Sequence, residues 1–164
     1  MPLLQTIIAR ISHDLLNPLG AMDMLMSLDD IQGNQELIKE SLANAINILE
    51  ITRNILNPNL GLQHVGKILG KYDNIKLEIT MEEDKENVPS IILLLALIAS
   101  QKQQQVTINI TNQSLSIDMQ INAEEVQALQ KQDLSSYTCY FHLIGVLSEK
   151  YTIDYRGNML KIVF

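Results

Sequence analysis

The chain reads as an α+β protein, a long antiparallel helical hairpin followed by an α/β sandwich. Three observations predict this. Apolar residues keep helical spacing over residues 4–26 and again over 38–56, a proline and glycine stop sits at 57–61, and mixed periods follow from residue 62 onward. A length of 164 residues suits one ordinary domain or two small ones. The pattern divides it into residues 1–58 and 59–164.

In the first part Leu4, Ile8, Ile11, Leu15, Met22, Leu25 and Met26 form one long amphipathic helix. Asp29-Asp30 and Gln32-Gly33-Asn34 break it, and Ile38, Leu42, Ala45, Leu49, Thr52 and Leu56 resume the stripe. A link this short makes the helices antiparallel neighbours. Asn57-Pro58-Asn59 and Gly61 end the second helix, since proline lacks the helical donor and disfavours helical geometry before it. Two striped helices cannot bury their apolar faces alone. They must pack on the second part or on another copy, and a four-helix bundle in a homodimer is the simplest solution.

After the stop, the pattern predicts a helix at Gln63–Lys71, a strand at Ile75–Met81 and an acidic loop at Glu82–Asn87. Val88-Pro89-Ser90 opens the most apolar helix, Ile91–Gln101. Val106–Ile110 and Leu115–Ile121 alternate with period two around a turn and read as a β-hairpin. Short helices at Ala123–Lys131 and Tyr140–Lys150 precede a terminal hairpin, Tyr151–Tyr155 and Met159–Phe164, turning at Arg156-Gly157-Asn158. One sheet with helices on it follows.

Composition narrows the function. With 46% apolar and 19% charged residues the chain can fold around a core. A net charge of −7 argues against a general binder of nucleic acid or anionic membranes, both of which require basic surface. The longest apolar run, Ile91–Ala99, falls well short of the roughly 20 residues of a membrane span. No secretory leader is legible at the start, and the single cysteine, Cys139, excludes an internal disulfide framework and a thiolate zinc cluster. A cytoplasmic location is expected.

His13 is the informative residue. At about 100° per residue it lies roughly opposite the midpoint of Ile11 and Leu15, away from the stripe. Thr6, Ala9, Arg10, Asn17 and Gly20 share its face, small or polar side chains where a solvated helix would carry long Glu and Lys. The imidazole therefore stands above a low surface that a partner can approach closely. Phosphoryl acceptance fits, because a neutral imidazole is a competent nucleophile near pH 7. Asp14 is placed to accept a hydrogen bond from the other ring nitrogen or to take its proton. Arg10 and Asn17, a turn before and a turn after, are candidates for the phosphoryl oxygens or for docking. Pro18 removes the hydrogen bond to the Asp14 carbonyl and should bend the helix.

The segment Ile11-Ser12-His13-Asp14-Leu15-Leu16-Asn17-Pro18-Leu19-Gly20-Ala21 resembles the H-box of two-component histidine kinases. Asp after His, and Ala three residues after Pro, make it more similar to the ChpT-type histidine phosphotransferases. The order of elements after residue 62 resembles the Bergerat-type ATP-binding domain of those kinases, in degenerate form. The resemblance implies a phospho-acceptor at His13 and a homodimer through the hairpin. It also implies receiver domains, of a hybrid histidine kinase and of response regulators, as partners. No cofactor of its own is implied, with Mg2+ held by the partner receiver.

Three nucleotide-binding elements of those kinases have no counterpart. Their helical asparagines fall on Ala96 and Ser100, their Asp-x-Gly-x-Gly falls on Asn122-Ala123-Glu124-Glu125-Val126, and their glycine-rich phosphate cradle is replaced by residues 135–145. The expectation is phosphotransfer without ATP binding and without a nucleotide or metal site, hence not an ATP-dependent kinase. The competing reading is a non-catalytic, pseudokinase-like dimer that binds receivers. Glu82-Glu83-Asp84 with Glu86 lacks the ligand spacing of a calcium loop and reads as a solvated loop. His142 reads as a structural histidine and Cys139 as a packing residue, His64 opens the helix after the linker with no acidic partner nearby in sequence, and the seven methionines read most simply as core filler.

Overall fold

A computed structural model describes residues 2–28, 32–55, 57, 59–132 and 134–164. The sequence breakers Asp29-Asp30, the stripe residue Leu56 and the stop at Pro58, with the 58/59 boundary, lie outside the described residues. Two long helices come first, α1 (Pro2–Met26) and α2 (Gln35–Ile55), and they pack on each other. Then follow α3 (Leu62–Leu69), β1 (Ile75–Ile79), α4 (Val88–Gln101), β2 (Val106–Ile110), β3 (Ser114–Asp118), α5 (Ala123–Leu129), α6 (Cys139–Leu147), β4 (Thr152–Arg156) and β5 (Met159–Val163). Each predicted element forms, with ends shifted by at most three residues. Among the described residues, no helix is long and apolar enough to cross a membrane.

The strands make one mixed sheet in the order β1-β2-β3-β5-β4, with β1 parallel to β2 and the other pairs antiparallel. Register explains its two faces. One row across the sheet runs Leu77, Ile108, Ile117, Leu160, Tyr155, and the next runs Ile79, Ile110, Leu115, Ile162, Ile153. The opposite face carries Asn109, Ser116, Lys161 and Asp154 in one row. Alternation of this kind buries one face under helices and leaves the other to water.

Helix α4 shows what lies against the apolar face. Every residue from Val88 to Ala99 is buried, because β1 contacts it from one side and α2, α3 and α6 from others. A helix apolar all round is stable only in such a position. Ile51 and Ile55 of α2 belong to the same core, and Leu3, Ile7 and Ile11 of α1 pack against it.

The helical stripe of α1 divides in a way the spacing did not show. Ile11 faces the core, whereas Leu4 and Ile8 stay exposed, as do Leu19 and Met26. The core is met instead by Leu3, Ile7 and Ile11, on the neighbouring edge of the same apolar sector. On α2 Leu42, Ile46 and Leu49 are likewise exposed.

At Gly145 α6 comes so close to α5 that a Cβ there would run into the carbonyl oxygen of Leu129. Backbone cannot step aside cheaply. The Gly145→Ala variant should lose about 1–3 kcal/mol by overpacking, read as a lower thermal midpoint. An unchanged midpoint would show that α5 and α6 have room to separate.

Candidate functional site

The helical step of about 100° separates neighbouring residues 13 and 14 onto different faces. His13 points out, with its side chain 63% exposed, and Asp14 points in, with its side chain 5% exposed. The ring Nδ1 faces Asp14 Oδ1 at 3.5 Å, longer than a formed hydrogen bond. Among the described residues nothing bonds Nε2, so it is the nitrogen open to a partner.

Asp14 is the best-tied side chain of the region. Gln101 Nε2 donates to its Oδ2 at 2.6 Å and the Tyr140 hydroxyl donates to the same oxygen at 2.8 Å. Arg10 Nε lies 3.0 and 3.1 Å from the two carboxylate oxygens. A buried carboxylate is tolerated when it is paired and its lone pairs are used, as here. Arg10 Nη2 also donates to Gln101 Oε1 at 3.1 Å, and Nη1 lies 3.5 Å from the Ser136 carbonyl oxygen. The guanidinium stands 5.9 Å from the ring centres of both Tyr137 and Tyr140.

The other residues singled out by sequence sit as follows. Asn17, Ala9 and Gly20 are exposed on the His13 side of α1, while Thr6 is half-buried and bonded. A Cβ at Gly20 would touch nothing, so packing within the chain does not explain this helix-interior glycine. Arg10 is turned toward α4 and α6, and its side chain is only 16% exposed. Pro18 lies inside α1, which continues through it. With Asn17 and Ala21 it lines an open cleft of about 490 Å³ that Ser41, Asn44 and Gln101 also line.

Gln101 and Tyr140 went unrecognised in sequence. The first ends an apolar helix and the second opens one, positions that read as surface and core. The only available signal was that both are polar groups at the edges of otherwise apolar helices.

Where the kinase pattern needs glycines, Ala123–Leu129 make a helix that Asn122 caps. Asn122 Oδ1 accepts from the Glu125 N–H at 2.9 Å and the Glu125 carboxylate accepts from the Asn122 N–H at 2.7 Å. Ala96 is fully buried and Ser100 half-buried on α4. Among the described residues, no three His, Cys, Asp or Glu side chains converge as a metal site. In the acidic loop Asp84 Oδ2 accepts the Leu62 N–H at 3.2 Å at the start of α3, and Glu86 pairs with Lys150. His64 is exposed on α3 and His142 half-buried on α6.

A solved structure of a bacterial phosphotransferase superposes on this chain with a TM-score of 0.71, covering 98% of this chain and 94% of that one at 12% identity. In fold, the chain is similar to a bacterial phosphotransferase. At that identity the likeness concerns the fold alone. No protein-family model matches the chain, and no curated protein matches it.

Cys139, beside Tyr140, reports on burial at this joint. Burial pushes its thiol up from 9.0 to about 11; Arg10 pulls the other way and Asp14 adds to the rise. A group whose folded value is raised favours the folded state below its unfolded value and loses that contribution as pH climbs through the folded one. Unfolding free energy should therefore fall between pH 9 and about 11, and the Cys139→Ala variant should show a shallower fall. An equally steep fall in that variant would assign the loss elsewhere.

Proposed function

We propose that the chain is a histidine phosphotransferase of a phosphorelay, taking a phosphoryl group from a receiver-domain aspartate on His13 and passing it to another receiver. One observation carries the reading. An exposed imidazole, Nδ1 toward a buried and anchored carboxylate and Nε2 outward, stands among small or polar neighbours on a helix of a phosphotransferase-like fold. The H-box resemblance supports it from sequence, and Gly20 supports it from packing, since a docked partner gives that glycine a use.

The chemistry balances without a base. The Nε2 lone pair forms the N–P bond as the aspartyl O–P bond breaks, and that electron pair leaves on the receiver's carboxylate. The ring proton stays on Nδ1, and Asp14 stabilises the resulting imidazolium. In the second transfer the next receiver's carboxylate attacks phosphorus and Nε2 recovers its pair. Catalysis is then mostly positioning and charge neutralisation, with Mg2+ belonging to the receiver's own acidic pocket. Asn17 lies near enough in sequence to reach the phosphoryl oxygens or the receiver. Arg10 reaches them only by giving up its ties to Asp14 and Gln101.

The same reading assigns α1 and α2 to a dimerising hairpin and the remainder to a degenerate Bergerat-type sandwich. Its support is the unpaired apolar surface on the first two helices. Leu4, Ile8 and Leu19 of α1 and Leu42, Ile46 and Leu49 of α2 are exposed, with Ile8 at 54% and Ile46 at 52%. A four-helix bundle with a second copy covers such a surface.

Two outcomes are expected. Incubated with a panel of phosphorylated receivers, the protein should remove label from some and carry an acid-labile phosphate, and His13→Ala should abolish this while remaining dimeric. ATP with magnesium should give no label, and undiminished relay by the His13→Ala variant would end the assignment. Burying a Leu or Ile contributes about 1.5–3 kcal/mol, so Ile8→Asp with Ile46→Asp should convert a species of twice the 18.5 kDa chain mass into a folded monomer by sedimentation. A wild-type protein already monomeric at micromolar concentration would refute the bundle.

A further inference from the structure

Three elements meet at Asp14. Arg10 comes from α1, Gln101 is the last residue of α4 and Tyr140 the second residue of α6. Their bonds divide the two carboxylate oxygens unequally. Oδ2 receives Gln101 and Tyr140 at 2.6 and 2.8 Å, while Oδ1 receives only the shared Arg10 Nε and faces the His13 ring at 3.5 Å. The carboxylate cannot turn without breaking both short bonds.

The anchors are themselves fixed. The Gln101 amide gives Nε2 to Asp14 and accepts Arg10 Nη2 on Oε1, so Arg10, Asp14 and Gln101 close a ring in which the amide has one consistent orientation. Tyr140 is buried, and burial first and Asp14 second push its phenol upward, so it remains a donor throughout the physiological range. Both side chains belong to the half of the chain that lacks the nucleotide motifs.

We propose that Gln101 and Tyr140 are positioning residues for His13: by holding Asp14 in one orientation they aim Oδ1 at Nδ1, keep the ring proton there and leave the Nε2 lone pair outward. The proposal rests on the reading of His13 as phospho-acceptor. The imidazole is exposed and a small rotation closes 3.5 Å to a bonded distance, as pairs that are long in the free protein tighten on engagement. With Nδ1 protonated, attack by Nε2 gives an imidazolium whose proton is already bonded to an anion. With the other tautomer, Nε2 carries the proton and has no pair to offer.

The test uses the 164-residue chain and its Tyr140→Phe and Gln101→Leu variants. Nitrogen-15 NMR of labelled histidine should find His13 mainly as the Nδ1–H tautomer in the wild type and shifted toward Nε2–H in both variants. Transfer from a phosphorylated receiver should slow by between about tenfold and a hundredfold, with receiver affinity and dimer mass unchanged. A role in stability alone would lower the thermal midpoint and leave the tautomer where it was, which would overturn the proposal, as would a wild-type His13 held mainly as Nε2–H even if neither variant folds. A wild type with the Nδ1–H tautomer that takes no phosphoryl group from any receiver would remove the phosphotransfer reading and leave the positioning of His13 standing.

Discussion

The buried Asp14 carboxylate is the constraint on which the arrangement depends. It lies where α1 meets α4 and α6, and it is the only acidic side chain among the described residues bonded by donors from all three. Taking away one partner of a buried pair typically costs about 3–5 kcal/mol, a large part of the 5–15 kcal/mol that holds an ordinary domain together. To the apolar packing of Leu3, Ile7, Ile11, Ile51 and Ile55 across the joint between the long helices and the rest, Asp14 thus adds a polar and directional tie. His13 is one residue away from it, so whatever fixes Asp14 also fixes the base of the imidazole.

Helix α1 must serve three surroundings at once. Its inward face carries Leu3, Ile7, Ile11, Arg10 and Asp14, a second face carries the exposed Leu4, Ile8 and Leu19, and a third carries His13, Asn17 and Gly20. A fourth sector, with Gln5, Ser12, Leu16 and Asp23, is open to solvent, yet the helix has only Arg10, Asp14 and Asp23 as charged residues besides its histidine. The surplus acid of the chain lies elsewhere, much of it at Glu82, Glu83, Asp84 and Glu86.

Much of the fold was legible because its elements differ in period. Strand alternation at 106–110 and 115–118, and the apolar run of α4, each match one template only. Helical spacing also placed His13 opposite the stripe. What it could not assign was which part of the apolar sector of α1 meets the chain itself, since Ile11 is covered and Ile8 is not; periodicity reports a face without naming its partner. Gln101 and Tyr140 escaped for a related reason. They stand 87 and 126 residues from Asp14, and a single polar atom at the end of an apolar helix has no period. Arg10, read as an outward neighbour of His13, proved to be spent inward, because a long side chain at the edge of a face goes to the nearest buried anion.

The α/β half gains a purpose from the same geometry. Its apolar helix α4 is sealed along Val88–Ala99, and residues 122–125 close into a capped helix start. Opening a nucleotide pocket along α4 would mean exposing a continuous apolar core. Yet the end of α4 and the start of α6 supply Gln101 and Tyr140, the side chains of this half that reach Asp14 among the described residues. Holding Gln101 and Tyr140 there, at bond lengths of 2.6 and 2.8 Å, requires both helices to keep their places against the sheet. A loop could carry the same two residues but not with that precision, because holding them in place would then cost the ordering entropy of the loop. On this reading a sheet with helices packed on one face is retained as a frame, and its product is the orientation of one carboxylate beside one histidine.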